Sequence, residues 1–103
     1  MASQKQIKAL PVITITTSAQ KLTSLKIKAT MVEIHTVSTN SGSVYLGDSG
    51  VLSTVNIPIT ANVTKSYTPS EISSTVSGDY FDLSEIYVLG TAGDLVRVQY
   101  IGV

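Results

Sequence analysis

The fold of this chain is decided by the stretch Asp94-Leu95-Val96-Arg97-Val98-Gln99-Tyr100-Ile101. One parity of the stretch is wholly apolar, with Val96, Val98 and Tyr100, whereas the other includes Arg97 and Gln99. Because successive side chains of a β-strand point to opposite faces, this alternation predicts a strand with one buried face. We expect the valines and the tyrosine to face the core. The arginine and the glutamine should face solvent or a neighbouring subunit.

A glycine turn precedes this strand, and a similar turn lies near the middle of the chain. The two segments are Ile86-Tyr87-Val88-Leu89-Gly90-Thr91-Ala92-Gly93 and Val44-Tyr45-Leu46-Gly47-Asp48-Ser49-Gly50. In each, apolar residues and a tyrosine run into a glycine, and a second glycine follows three residues later. Such turns typically join adjacent antiparallel strands, so we expect a hairpin over residues 86–101. In the middle turn, Asp48 should accept backbone hydrogen bonds and Gly50 should adopt a positive φ.

The longest expected strand covers residues 26–37. Its apolar parity changes near Met31, which indicates either a β-bulge or a second half that is buried on both faces. Residues 38–42 are polar and include a glycine, so they predict a turn. We therefore expect this long strand to form a hairpin with residues 44–46.

Shorter segments complete the pattern. Residues 12–17 are rich in β-branched side chains and predict a first strand, followed by a turn at residues 18–21 and a core position at Leu22. Residues 63–68 predict a further strand. Residues 70–78 fit a short capped helical turn and a loop equally well.

The composition agrees with a single all-β domain. Of the 103 residues, 43% are hydrophobic and only 14% are charged. Short strands with turns about every 8–12 residues are typical of a sandwich or a small barrel. We expect one antiparallel β-sandwich or jelly-roll-like domain over residues 11–103. Residues 1–10 should form a flexible N-terminal arm that becomes ordered only on binding.

Charge and hydropathy argue against several classes of partner. The formal net charge is zero, with seven basic and seven acidic residues, so we expect no nucleic-acid-binding surface. The lysines of the first third form either a basic patch or, as we interpret them, solvated strand faces. No apolar run reaches the roughly 18 residues of a membrane span, and we see no export signal. The absence of cysteine excludes disulfides and thiolate metal sites.

The turn Gly47-Asp48-Ser49-Gly50 matches the nucleophile signature of trypsin-like proteases. A serine nucleophile needs a base and an orienting carboxylate, and the one histidine of the chain is His35. The sole aspartate between His35 and Ser49 is Asp48 itself, and such proteases have about twice this length. We therefore interpret the motif as a tight turn and expect no enzymatic activity.

Other candidate sites are incomplete. Glu33 and His35 share one strand face, but two ligands are too few for a metal. Asp79, Asp82 and Asp94 lack the regular oxygen spacing of a calcium loop, so we expect neither a metal nor a cofactor. The five tyrosines could stack on sugar rings, although core or interface positions suit most of them better. The sequon at residues 62–64 is interpreted as chance.

Three pieces of the sequence carry a resemblance to a known family. They are Thr17-Ser18-Ala19-Gln20-Lys21-Leu22, residues 44–51 and residues 82–100. Together they resemble the decoration (cement) proteins and related small virion structural proteins of tailed phages. The resemblance implies a β-sandwich or jelly-roll-like domain, usually trimeric, bound to the outside of a capsid lattice. It implies no catalytic residues.

From this resemblance we expect a virion structural protein, made in the host cytoplasm, that binds the major capsid protein lattice as a homotrimer and stabilises the shell. Residues 2–10 and 52–64 are the expected contacts with the lattice. Two alternatives remain open. One is a tail, neck or fibre-base component, and the other is a carbohydrate- or host-surface-binding β-sandwich module.

Overall fold

The computed structural model of this protein describes residues 7–68 and 80–102. Within these ranges there are nine β-strands and one short 3-10 helix. In chain order they are β1 (Ile7–Ala9), β2 (Ile13–Thr14), β3 (Gln20–Lys21), β4 (Lys28–Thr36), β5 (Val44–Gly47), β6 (Thr64–Tyr67), β7 (Phe81–Asp82), the 3-10 helix Leu83–Glu85, β8 (Tyr87–Gly90) and β9 (Leu95–Gly102). The expected helical turn or loop at residues 70–78 lies outside the described residues.

The strands form two antiparallel sheets that pack face to face. The first sheet has the order β1-β9-β4-β6, with β2 also pairing with β9 and β7 with β4. The second has the order β3-β8-β5. Buried side chains from both sheets make one core, which includes Val32, Ile34 and Val98 from the first sheet and Val44 and Val88 from the second. The predicted all-β sandwich is thereby confirmed.

Strand β9 lies at the centre of the first sheet, and its parity is as predicted. Val96, Val98 and Tyr100 are buried, whereas Arg97 and Gln99 are exposed. The apolar parity faces the second sheet because burial of its side chains is the main favourable term in packing two sheets together.

The predicted irregularity in the long strand is also present. The register between β4 and β9 shifts between Ala29 and Met31, as at a β-bulge. Ala29 is buried before the shift, and Val32 and Ile34 are buried after it. The bulge changes the parity that faces inward, so both halves of β4 contribute to the same core.

Both predicted hairpins are wrong. Strand β8 pairs with β3 and β5, and β9 pairs with β4, so residues 90–94 carry the chain from the second sheet to the first. The chain likewise leaves the first sheet after β4, and residues 37–43 lead to β5 in the second sheet. An alternating pattern of apolar and polar residues identifies a strand and its buried face. It does not predict which other strand will pair with it.

In the glycine turn at residues 90–93, Gly90 and Gly93 are required for different reasons. A Cβ atom on Gly90 would lie 2.6 Å from the backbone oxygen of Ser43, so only glycine allows this close approach. Gly93 has a φ of 92°, which L side chains rarely adopt. The two glycine turns are therefore similar in sequence but differ in backbone conformation, because Gly93 has a positive φ and Gly50 does not.

The glycine turn at residues 47–50 ends β5, but it does not join two paired strands. Asp48 Oδ1 accepts a hydrogen bond from the Gly50 N–H at 2.8 Å, as predicted for this aspartate. The predicted positive φ at Gly50 is wrong, since the positive values among residues 7–68 and 80–102 belong to Asn62 and Gly93. The side-chain bond to Asp48 holds the turn without left-handed backbone at Gly50.

The N-terminal segment contributes to both sheets. Strand β1 falls within the predicted arm and pairs with β9 from Ile7↔Ile101 to Ala9↔Gln99, with all three side chains exposed. The predicted strand at residues 12–17 is shorter, because only Ile13 and Thr14 pair with β9 before the chain crosses to the second sheet. Part of the predicted turn, Gln20–Lys21, pairs with β8 as β3, and Leu22 is buried as expected.

Candidate functional site

The structure does not bring His35 and Ser49 together. His35 lies on β4, and its neighbours in the strand, Ile34 and Thr36, are buried, so the imidazole faces away from the second sheet. Its Nδ1 atom lies 2.9 Å from Thr64 Oγ1. Ser49 follows β5 in that second sheet, so the one histidine of the chain does not lie beside the serine of the protease-like motif.

The two described aspartates of the suspected calcium set, Asp82 and Asp94, already accept hydrogen bonds from other groups of the chain. Asp82 Oδ1 caps the 3-10 helix by accepting from the Ser84 N–H and hydroxyl. The Ser84 hydroxyl is the main cause of a lowered Asp82 pKa. Asp79 lies outside the described residues. Among those that the structure describes, no group of three or more potential ligands could hold a metal ion.

Asp94 joins the two crossings between the sheets. Its carboxylate is buried and accepts hydrogen bonds from the backbone N–H groups of Ser41 and Gly42, each at 2.9 Å. The bond from the Ser41 N–H is the main cause that lowers the Asp94 pKa below its ordinary value, against the opposing effect of burial. Next to it, Asn40 Oδ1 accepts from the Leu95 N–H at 2.8 Å. The loop after β4 is thus fastened to the start of β9.

This geometry predicts how the difference in stability between the wild-type protein and the variant Asp94→Asn depends on pH. A carboxyl whose pKa is lowered by folding adds stability above its unfolded pKa, about 3.9, and that stability is lost as the pH falls through the folded pKa. Urea denaturation should show the wild-type protein more stable than the variant at pH 7, with the difference shrinking below about pH 4. A difference that stays constant down to pH 2.5 would contradict this role of Asp94.

The tyrosines occupy different environments. Tyr100 is buried in the core, in agreement with the preferred interpretation. The ammonium group of Lys28 lies 4.8 Å from the ring centroid of Tyr80, so a cation already covers one face of that ring. Tyr67 lines a largely apolar groove of about 300 Å³ between the sheets, with Leu46 and Ile86. Burial raises the pKa of the Tyr67 hydroxyl, which stays neutral at physiological pH.

Three of the six exposed large hydrophobic residues in the described part of the chain lie in the loop over residues 52–58, which we call the apolar loop. Leu52, Val55 and Ile57 are 53%, 76% and 82% exposed, although each has a large apolar side chain. The loop falls within the predicted contact region at residues 52–64. No charged residue occurs from Ser49 to Thr64.

Asn56 holds the apolar loop in one conformation. Its Oδ1 accepts from the Leu52 N–H at 3.1 Å, and its Nδ2 donates to the Leu46 carbonyl at 3.1 Å, which ties the loop to β5. The Asn56 N–H donates to the Leu52 carbonyl at 2.9 Å. The apolar side chains are therefore presented outward by a loop with its own hydrogen bonds, which reduces the entropy lost when a partner binds.

The predicted arm contributes a further exposed apolar side chain. Ile7 on β1 is 72% exposed and lies beside Ile101 of β9, which is half-buried. Residues 2–6 of the expected contact lie outside the described residues. In the part of the chain that the structure describes, no helix is long and apolar enough to cross a membrane.

We take two surfaces as candidate sites: the apolar loop, and the polar outer face of the first sheet, where Glu33 and His35 of β4 pair with Gln99 and Arg97 of β9. The sequence predicted the first, at residues 52–64, but the second depends on a pairing that it did not predict. Comparison of the chain with protein-family models, curated proteins and solved structures finds no match. The function has to be inferred from the chain's own residues and surfaces.

Proposed function

We propose that this protein is a virion structural protein of a tailed phage that decorates the capsid surface as a homotrimer and stabilises the shell. The observation that carries the proposal is the apolar loop, together with the resemblance of three sequence segments to decoration proteins. Leu52, Val55 and Ile57 are mostly exposed to solvent on a loop that is fixed by hydrogen bonds. The protein acts through its surface and needs no cofactor.

The energetics favour a macromolecular partner for this loop. Moving a large aliphatic side chain from water into an interface contributes about 1.5–3 kcal/mol when burial is complete. Three such side chains close together resemble the apolar centre of an interface, which is where most binding energy is concentrated. Because residues 49–64 carry no charge, the fitting partner surface is apolar and uncharged at its centre. The major capsid protein lattice is the proposed partner.

Stabilisation of the shell follows from mass action. A protein that binds the assembled lattice but not the loosened one stabilises each site by RT ln(1 + [L]/Kd). A closed shell repeats the same site many times, so the sum over sites is large even when each contribution is modest. A homotrimer adds to this effect, because linked binding sites engage the lattice together.

The test is binding to purified expanded capsids of the phage that encodes this chain. The full-length protein should sediment with the shells at a fixed stoichiometry and raise their melting temperature in calorimetry. Light scattering of the free protein should give the mass of a trimer. Binding to purified tails but not to shells would support the tail, neck or fibre-base alternative, and binding to neither would overturn the proposal.

A further inference from the structure

The outer face of the first sheet carries a regular grid of polar side chains. In one row, Thr64 of β6, His35 of β4 and Arg97 of β9 are paired across the strands. In the next row, Glu33 of β4 pairs with Ser66 on one side and Gln99 on the other. A groove of about 260 Å³ lies between the rows, lined by Glu33, His35, Thr64, Arg97 and Gln99.

The grid is only half satisfied by its own hydrogen bonds. His35 and Thr64 are bonded to each other, and the Ser66 hydroxyl donates to Glu33 Oε2 at 3.0 Å. Arg97 and Gln99 line the same groove, and their side chains make no hydrogen bond or ion pair with the rest of residues 7–68 and 80–102. The opposite charges of Glu33 and Arg97 thus line one groove, but the two side chains do not form an ion pair with each other.

We propose that this groove binds an acidic sugar unit, that is, a pyranose ring that carries one carboxylate and neighbouring hydroxyls. The guanidinium of Arg97 matches a carboxylate in charge and in its paired donor geometry. The free oxygen of Glu33 accepts from a sugar hydroxyl, and Gln99 both donates and accepts. His35 offers its Nε2 atom, because its Nδ1 is bonded to Thr64.

The lining selects this ligand over simpler ones. A bare carboxylate would satisfy Arg97 but would bring a second negative charge towards Glu33 without any donor for it. A neutral sugar would leave Arg97 without an anion, and among the residues that the structure describes no Tyr, Trp or Phe ring lines the groove for such a sugar to stack on. The groove, at about 260 Å³, lies just below the usual size range of ligand sites, which suits a ligand of one ring. This site is separate from the apolar loop and does not depend on the capsid role.

The probe is sodium D-glucuronate, titrated into ¹⁵N-labelled full-length protein at constant ionic strength and followed by NMR. We expect saturable shifts of the backbone amides of Glu33, His35, Arg97 and Gln99. D-glucose has the hydroxyls without the carboxylate, and sodium acetate has the carboxylate without the hydroxyls. Each should bind at least about tenfold more weakly than glucuronate. No saturable shift at these residues with glucuronate, or equal binding of acetate, would overturn the proposal.

Matched variants test the contacts. Arg97→Gln should weaken glucuronate binding about tenfold, because it removes the charge-assisted bonds to the carboxylate. Lys65→Gln removes the same charge from an exposed residue of β6. Lys65 pairs with Ile34, so its side chain lies on the opposite face of the sheet from the groove, and the variant should bind as the wild type does. Circular dichroism should show both variants folded. An equal loss of affinity in both variants would mean general charge attraction and would overturn the assigned site.

Discussion

Replacing Thr36 by valine is expected to lower the free energy of unfolding by about 2–4 kcal/mol, although the two side chains have nearly the same shape. Thr36 is fully buried on the inner face of β4. Its hydroxyl donates to the Thr60 carbonyl at 2.5 Å and accepts from the Val63 N–H at 2.9 Å. Valine would leave both backbone groups without these partners beside a side chain that is itself fully buried, and the cost of a polar group left without its hydrogen bond exceeds the gain from an added methyl.

The matched control is Thr14→Val. Thr14 also lies in a strand of the first sheet, but its side chain is exposed, so its replacement should change stability by less than about 0.5 kcal/mol. Urea denaturation of both variants, followed by far-ultraviolet circular dichroism, measures the difference. Equal stabilities of Thr36→Val and the wild type would show that the hydroxyl does not anchor the turn at residues 60–63.

Replacing Ile57 by aspartate is expected to weaken binding to capsid shells about 100-fold while the fold stays intact. Ile57 is 82% exposed in the free protein, so a charge at this position costs little when the chain is alone. In an apolar interface the same charge loses its water without gaining a partner, and losses of 2 kcal/mol or more are usual at such positions. Co-sedimentation over a range of protein concentrations gives the change in Kd.

Leu25→Asp provides the control for this experiment. Leu25 is 65% exposed and lies outside both expected contact regions, so the same change should leave shell binding within about twofold. If the wild type binds shells and both variants lose affinity equally, the loop is not the contact, although the capsid role stands. If the wild type does not bind, the capsid role itself fails.

The faces of the strands could be read from the sequence, because side-chain parity is a local property. Val96, Val98 and Tyr100 are buried as the alternation predicted, and the change of parity near Met31 corresponds to the irregular register between β4 and β9. Asp48 also bonds its own turn as expected, since that contact involves only its nearest neighbours in the chain.

The pairing of the strands could not be read in this way. The glycine turn at residues 90–93 has the composition of a hairpin, yet it crosses between the sheets, and Gly90 at its start lies against the backbone of Ser43. That contact joins segments far apart in the sequence and leaves no local signal. The polar groove was missed for the same reason, since Glu33 and Arg97 come together only when β4 lies beside β9.

The central position of β9 also governs when the protein can fold. Thr30 and Ile101, which meet where β4 pairs with β9, are 71 positions apart in the chain. Contacts of such long range make folding slow, in the range of milliseconds to seconds for small β-proteins. During synthesis on the ribosome, β1 and β2 have no partner until β9 has been made. The first sheet therefore completes late, and until then its strands present unpaired edges to neighbouring nascent chains.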